Sequence, residues 1–256
     1  MTLASLRQRG ALALASGLIL LLGLPLYQDF VLAPNGYIEA TNPIVAHHQF
    51  GSYLLWASAH MTLDIVYHLV QCAVFVLAFG VPTALRRVLW PSDPNGGKPA
   101  MWLGQLGFAL YALTLIVSVF ATPNFATTYA RQHASALSGY LTLLTFKTLL
   151  TNVLGGGLIA LFLILMSLRG SSSGRLPGWL AYLGLATGGL LGASAILYLF
   201  ALTQPDTALS PLAFLGMAFW LVAFGFMLLR VEERPREETL STPGAAIPSS
   251  ESAPPP

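Results

Sequence analysis

The side chains best suited to chemistry fall in one short stretch, His60-Met-Thr-Leu-Asp64-Ile-Val-Tyr67-His68-Leu-Val-Gln71-Cys72. His60, Asp64 and His68 follow one another at four-residue steps, with Cys72 next in the series. On an α-helix, positions i and i+4 share a face, so the spacing predicts a polar stripe flanked by Tyr67 and Gln71. Two imidazoles and a carboxylate on one face form a donor set for a divalent metal, because neutral imidazole nitrogen and carboxylate oxygen both ligate such ions. A metal held there would bind water and support hydrolysis, which would make the chain a membrane-embedded metal-dependent enzyme. Without a metal, the stripe would bind a small ligand or ion, or relay protons, since histidine titrates near neutral pH. A third reading gives it no chemistry: the helix end protrudes into water, where His and Asp are ordinary interfacial residues. The pattern is not an H-E-x-x-H signature. Cys72 reads as a small buried hydrophobe, and as the single cysteine it excludes an internal disulfide and any CxxC centre.

Depth narrows what the stripe can reach. Asp64 precedes Arg86 by 22 residues, roughly 33 Å along a straight helix. Lys147 precedes Arg169 by the same 22 residues. Both charges are therefore expected at one outer depth, as an interhelical ion pair. His47, His48 and His133 fall on that side too. The expected binding set is His60, Asp64, Tyr67, His68, Gln71 and Lys147, with His60, Asp64 and His68 as the metal subset.

The elements that must hold these residues follow from composition. Hydrophobic residues make up 55% of the 256 and charged residues only 9%. A water-soluble domain carries about a quarter charged residues, so lipid must cover part of this surface. The net charge of +2 comes with no Lys/Arg run long enough to track phosphates, which argues against a nucleic-acid partner. About 20 apolar residues cross the hydrocarbon layer as a helix, and six stretches qualify: 10–30, 63–85, 101–121, 149–168, 179–202 and 211–229. The breakers Ala33-Pro34-Asn35-Gly36, 91–99, 171–174 and Gln204-Pro205-Asp206 separate them. The predicted fold is an all-α membrane bundle over 1–230, followed by a Pro-, Ser- and Glu-rich tail over 231–256 that cannot bury enough apolar surface to order itself.

Basic residues orient the bundle. Arg7, Arg9, Arg86, Arg87, Lys98, Arg169, Arg175, Arg230, Arg234 and Arg236 all lie on the cytoplasmic side if both ends are inside, and only Arg131 and Lys147 lie outside. Removing one span would scramble this alternation. Arg7, Arg9 and the apolar run Ala11 to Leu24 also resemble a signal peptide, but no small-x-small cleavage site follows that run before Tyr27, only Leu32-Ala33-Pro34 further on, so the first span is expected to stay. Trp90, Trp102 and Trp179 fall near inner ends and Trp56 near the outer end of span two, as interfacial indoles prefer, while mid-span Trp220 is expected to pack on a neighbour. The outer connections 31–62 and 122–148 are long, although 129–146 has helical character and would extend span four outward.

Gly184, Gly188 and Gly192 lie on one face of span five, where they would let a helix approach closely: Gly155–Gly157 of span four, or a second copy of the chain. No internal repeat, Walker loop, G-x-S-x-G elbow, haem-clamping histidine set or retinal lysine is present. In layout the chain resembles uncharacterised bacterial six-span membrane proteins: a long outer loop after span one, an acidic residue in span two (Asp64) and an Arg pair after it (Arg86-Arg87). That resemblance implies a bacterial plasma-membrane location and no catalytic residues. The leading expectation is non-enzymatic binding of a small ligand, ion or partner at the outer face. The alternatives are the metal enzyme and an accessory subunit acting through its glycine faces.

Overall fold

A computed structural model describes residues 3–47, 49–200 and 209–230. The expected 231–256 tail, the 204–206 breaker and His48 lie outside them. Among the described residues all regular structure is helical. The helices are α1 (Leu3–Asn35), α2 (Tyr37–His47), α3 (Gly51–Ala59), α4 (Met61–Leu89), α5 (Lys98–Tyr129), α6 (Ser135–Ser172), α7 (Gly178–Phe200) and α8 (Leu209–Leu229). Six of these, α1 and α4 to α8, are long and apolar enough to cross a membrane. The apolar stretches of the sequence map onto them one to one. Helices suit such stretches because hydrocarbon offers no partner to an unpaired backbone N–H or C=O.

The six long helices close into a ring in chain order. Each packs on the next from α4 to α8, and α1 closes the circle by packing on both α8 and α4. Phe108, Phe162, Trp220 and Phe224 are fully buried inside it. Trp220 stacks on Phe224 and meets Phe162 edge-on, as expected of a mid-span indole. Large apolar side chains such as Leu22, Phe120, Leu161 and Phe226 face outward, which only a lipid surround makes favourable.

Two seams are built from glycine. A Cβ on Gly225 would lie 2.6 Å from the Leu14 amide nitrogen, and one on Gly17 would lie 2.8 Å from that of Val222. Backbone thus meets backbone along α1 and α8. In the α6–α7 seam, a Cβ on Gly188 would lie 2.8 Å from Ile164 Cγ1 and 3.0 Å from the Ala160 carbonyl. Gly184 faces Ser167 and Trp220, and Gly192 faces Ala160. The glycine face of span five is therefore packed against α6 of the same chain, at Ala160–Ser167 rather than at Gly155–Gly157.

The two ends of the bundle differ. At one, Arg9 donates to the Gly80 carbonyl at 3.1 Å, Arg86 Nε to the Gly96 carbonyl at 2.7 Å, and Arg175 to the Leu89 carbonyl. Arg169 sits 5.6 Å over the Trp90 ring. The Arg86 and Arg169 contacts fasten the loop between α4 and α5, where the Asp93 carboxylate accepts the Asn95 amide at 2.8 Å. That bond holds the Asp93 carboxyl below the usual carboxylate range. Trp102 and Trp179 are exposed.

At the other end a second apolar cluster forms a cap. It joins α2 and α3 to the outer parts of α1, α4, α5 and α6. The connections 31–62 and 122–148, expected as long loops, are helical here. The first folds into α2 and α3, and the second is absorbed by the ends of α5 and α6 around a short turn near Arg131. The expected outward extension of span four is part of this. Trp56 departs from expectation: it is buried in the cap, donating Nε1–H to the Asn35 carbonyl at 2.6 Å, not lying at a lipid interface.

Candidate functional site

Asp64 lies in the first turn of α4 with a buried side chain. Its Oδ1 accepts the Tyr53 hydroxyl at 2.8 Å, and its Oδ2 lies 3.6 Å from His68 Nδ1. That nitrogen is also 2.9 Å from the Asp64 main-chain carbonyl. A carbonyl only accepts, so Nδ1 carries the proton and Nε2 of the neutral ring is left as an acceptor. The i,i+4 relation of Asp64 and His68 puts them together as the sequence spacing requires.

His60 does not join them. It precedes the first residue of α4, with φ −122° and ψ 38°, outside helical geometry. Its ring stacks on Trp56 at 5.2 Å and its Nδ1 is 3.2 Å from the Trp56 carbonyl. The four-residue step from His60 to Asp64 therefore crosses the start of a helix instead of running along its face. Among the described residues, no three His, Cys, Asp or Glu side chains form a group able to hold a metal ion. The metal set of His60, Asp64 and His68 is not assembled.

The expected ion pair is also replaced. Among the described residues the side-chain contacts of the Asp64 carboxylate are with the Tyr53 hydroxyl and the His68 ring, and none is with Lys147. Tyr53 is what sequence reasoning missed. It arrives from α3 and takes the carboxylate oxygen that Lys147 was expected to take.

Tyrosines surround this carboxylate. Tyr67 stacks on Tyr27 at 6.2 Å and meets Tyr37 edge-on at 6.0 Å, while Tyr53 lies 6.2 Å from Tyr140. Burial pushes the Tyr53 and Tyr37 hydroxyls well above the ordinary tyrosine range, and neighbouring tyrosines and Asp64 push in the same direction. Six of the nine tyrosines belong to the cap cluster. That density was a readable signal, although their pairing was not.

Gln71 and Lys147 come together elsewhere, on the wall of a cavity of about 260 Å³ enclosed by α1, α4, α5, α6 and α8. Leu20, Leu24, Phe75, Leu115 and Phe214 make its apolar wall. Thr114 and Thr151 also line it, but their hydroxyls donate to the Leu110 and Lys147 carbonyls at 2.8 and 2.7 Å. Those two oxygens thus offer mainly acceptor capacity. The Gln71 amide reaches back to the Tyr67 hydroxyl one turn away. The Lys147 ammonium makes no hydrogen bond or ion pair among the described residues.

The helices around the cavity are irregular. α1 carries a π-turn over Ile19–Gly23, which contains Leu20. α6 carries another over Leu149–Gly155, which contains Thr151. A π-turn adds one residue to a helical turn, re-aims the side chains that follow, and occurs frequently at functional sites. Both open where the cavity lies.

No family model, no curated protein and no solved structure matches this chain.

Proposed function

We propose that this chain is a plasma-membrane protein, with both ends cytoplasmic, that binds a small ligand non-enzymatically in the outward half of its bundle. Orientation rests on the basic end, where Arg9, Arg86, Arg169 and Arg175 gather, because positive charge marks the cytoplasmic side of short loops. The cap end then faces outward, and with it Asp64, Tyr67, His68, Gln71 and Lys147. The observation that carries the binding reading is Lys147, a cation that has no hydrogen-bond or ion-pair partner among the described residues and lies on the wall of a largely apolar cavity. A charge within the hydrocarbon depth costs about 2.5–3.5 kcal/mol on insertion scales. A side chain that only packs would not need that charge.

Asp64 and His68 support this site from behind. The Asp64 carboxylate is held by Tyr53 and His68 and leaves the donors of Lys147 unoccupied. Native mass spectrometry of protein extracted in mild detergent tests the reading. A small molecule should stay bound to the wild type and be absent from the Gln71→Leu/Lys147→Met double variant. An identical spectrum of the two proteins, with no adduct in either, contradicts it.

A further inference from the structure

The geometry points to a ligand class for the Lys147 cavity: we infer that it takes a single-tailed amphiphile with one anionic head, of the size and chemistry of a medium-chain carboxylate. The inference rests on the binding reading above and adds the identity of what binds.

The wall divides into two chemical parts. Lys147 and Gln71 supply N–H donors, while Leu20, Leu24, Phe75 and Phe214 supply apolar surface. Thr114 and Thr151 have spent their donors on their own helices, so besides the hydroxyl of Tyr111, which also lines the wall, the donors left to a ligand belong to a cation and an amide. An ammonium offers three donors and no acceptor. Its complement is an anion, and in a dry site such a charge-assisted bond is among the stronger ones available. A cationic head would repel the ammonium, and a neutral head would accept its hydrogen bonds but leave its charge uncompensated. The cavity of about 260 Å³ corresponds to roughly nine water volumes at ~30 Å³ each. A chain of about eight to ten heavy atoms fills that space. The aliphatic and aromatic wall suits a hydrocarbon tail better than a sugar or a nucleotide, whose hydroxyls would go unpaired.

The experiment uses the full-length protein in nanodiscs of zwitterionic lipid, titrated with four probes of one chain length: octanoate, octyl phosphate, octanol and octyltrimethylammonium. Empty nanodiscs supply the partitioning background. Saturable, near one-to-one binding of octanoate is expected, with octyl phosphate weaker because its head is larger. Octanol and the ammonium probe should show partitioning alone. Lys147→Met should weaken octanoate by at least about tenfold, as loss of a charge-assisted hydrogen bond in a dry site predicts. Leu115→Trp, which fills the cavity from α5 and keeps the Lys147 side chain, should abolish saturation. Octanol binding as tightly as octanoate, or Lys147→Met leaving octanoate unchanged, overturns the anionic head. Saturable binding of the ammonium probe, lost in Asp64→Asn, overturns the ligand class while leaving a binding protein. No saturation by any probe, with Leu115→Trp indistinguishable from wild type, overturns the inference and the binding reading together.

Discussion

At the scale of single residues, the pairing of Tyr53 with Asp64 decides how the polar stretch behaves. The carboxylate is buried, and a buried anion that loses its hydrogen-bond donor carries its desolvation cost uncompensated. Tyr53→Phe keeps the ring and its packing on Tyr140 and removes only the donor to Oδ1. The variant should lower unfolding stability by about 1–3 kcal/mol, read as a reduced midpoint in thermal unfolding in detergent. In an Asp64→Asn background the same change should cost clearly less, because the uncharged amide has less need of that donor. Equal losses in both backgrounds would mean that the hydroxyl matters for some other contact. The spacing of Asp64 and His68 was legible because both lie inside one helix. His60 was misread since nothing in the sequence marks Met61 as the first helical residue, with His60 itself unwound. Lys147 was given the wrong partner, because the tyrosine that takes the Asp64 oxygen comes from a segment read as loop.

At the scale of helices, glycine sets how closely neighbours approach, and the consequences differ sharply between adjacent positions. Gly188 faces the backbone of α6, whereas a Cβ on Gly189 meets nothing within 4 Å. Gly188→Ala should destabilise by about 1–3 kcal/mol, the usual cost of overpacking. Gly189→Ala should be neutral or slightly stabilising, since alanine is the better helix former. Gly225→Ala should resemble Gly188→Ala, because its new Cβ would press on the Leu14 backbone. Unfolding midpoints of the three variants check this, and equal effects at Gly188 and Gly189 would contradict the seam. The four-residue glycine repeat of α7 was readable from sequence. The α1–α8 seam was not, because Gly10, Gly17 and Gly225 are too widely spaced to form a repeat in either helix. Nor were the π-turns at the cavity, which involve a single added residue and no distinctive composition.

At the scale of the whole molecule, six apolar stretches separated by Pro- and Gly-rich breakers made the six long helices legible, since length and apolarity are what a bilayer crossing requires. The cap was hidden because its helices are short and its contacts join residues from six helices. The central claim is that the cap and the Lys147 cavity belong to the outward half of a bundle whose basic end is cytoplasmic. α6 joins these two ends in one helix, so two cysteines on its flanks test the claim most directly. Cys72, the single native cysteine, is first changed to Ala, and then Gln132→Cys and Ser172→Cys are made separately at exposed positions beside the cap and at the basic end. In intact cells an impermeant maleimide should label Gln132→Cys, and it should label Ser172→Cys only after permeabilisation. Labelling of Ser172→Cys in intact cells, with Gln132→Cys protected, would place the cap and its cavity in the cytoplasmic half and contradict the account.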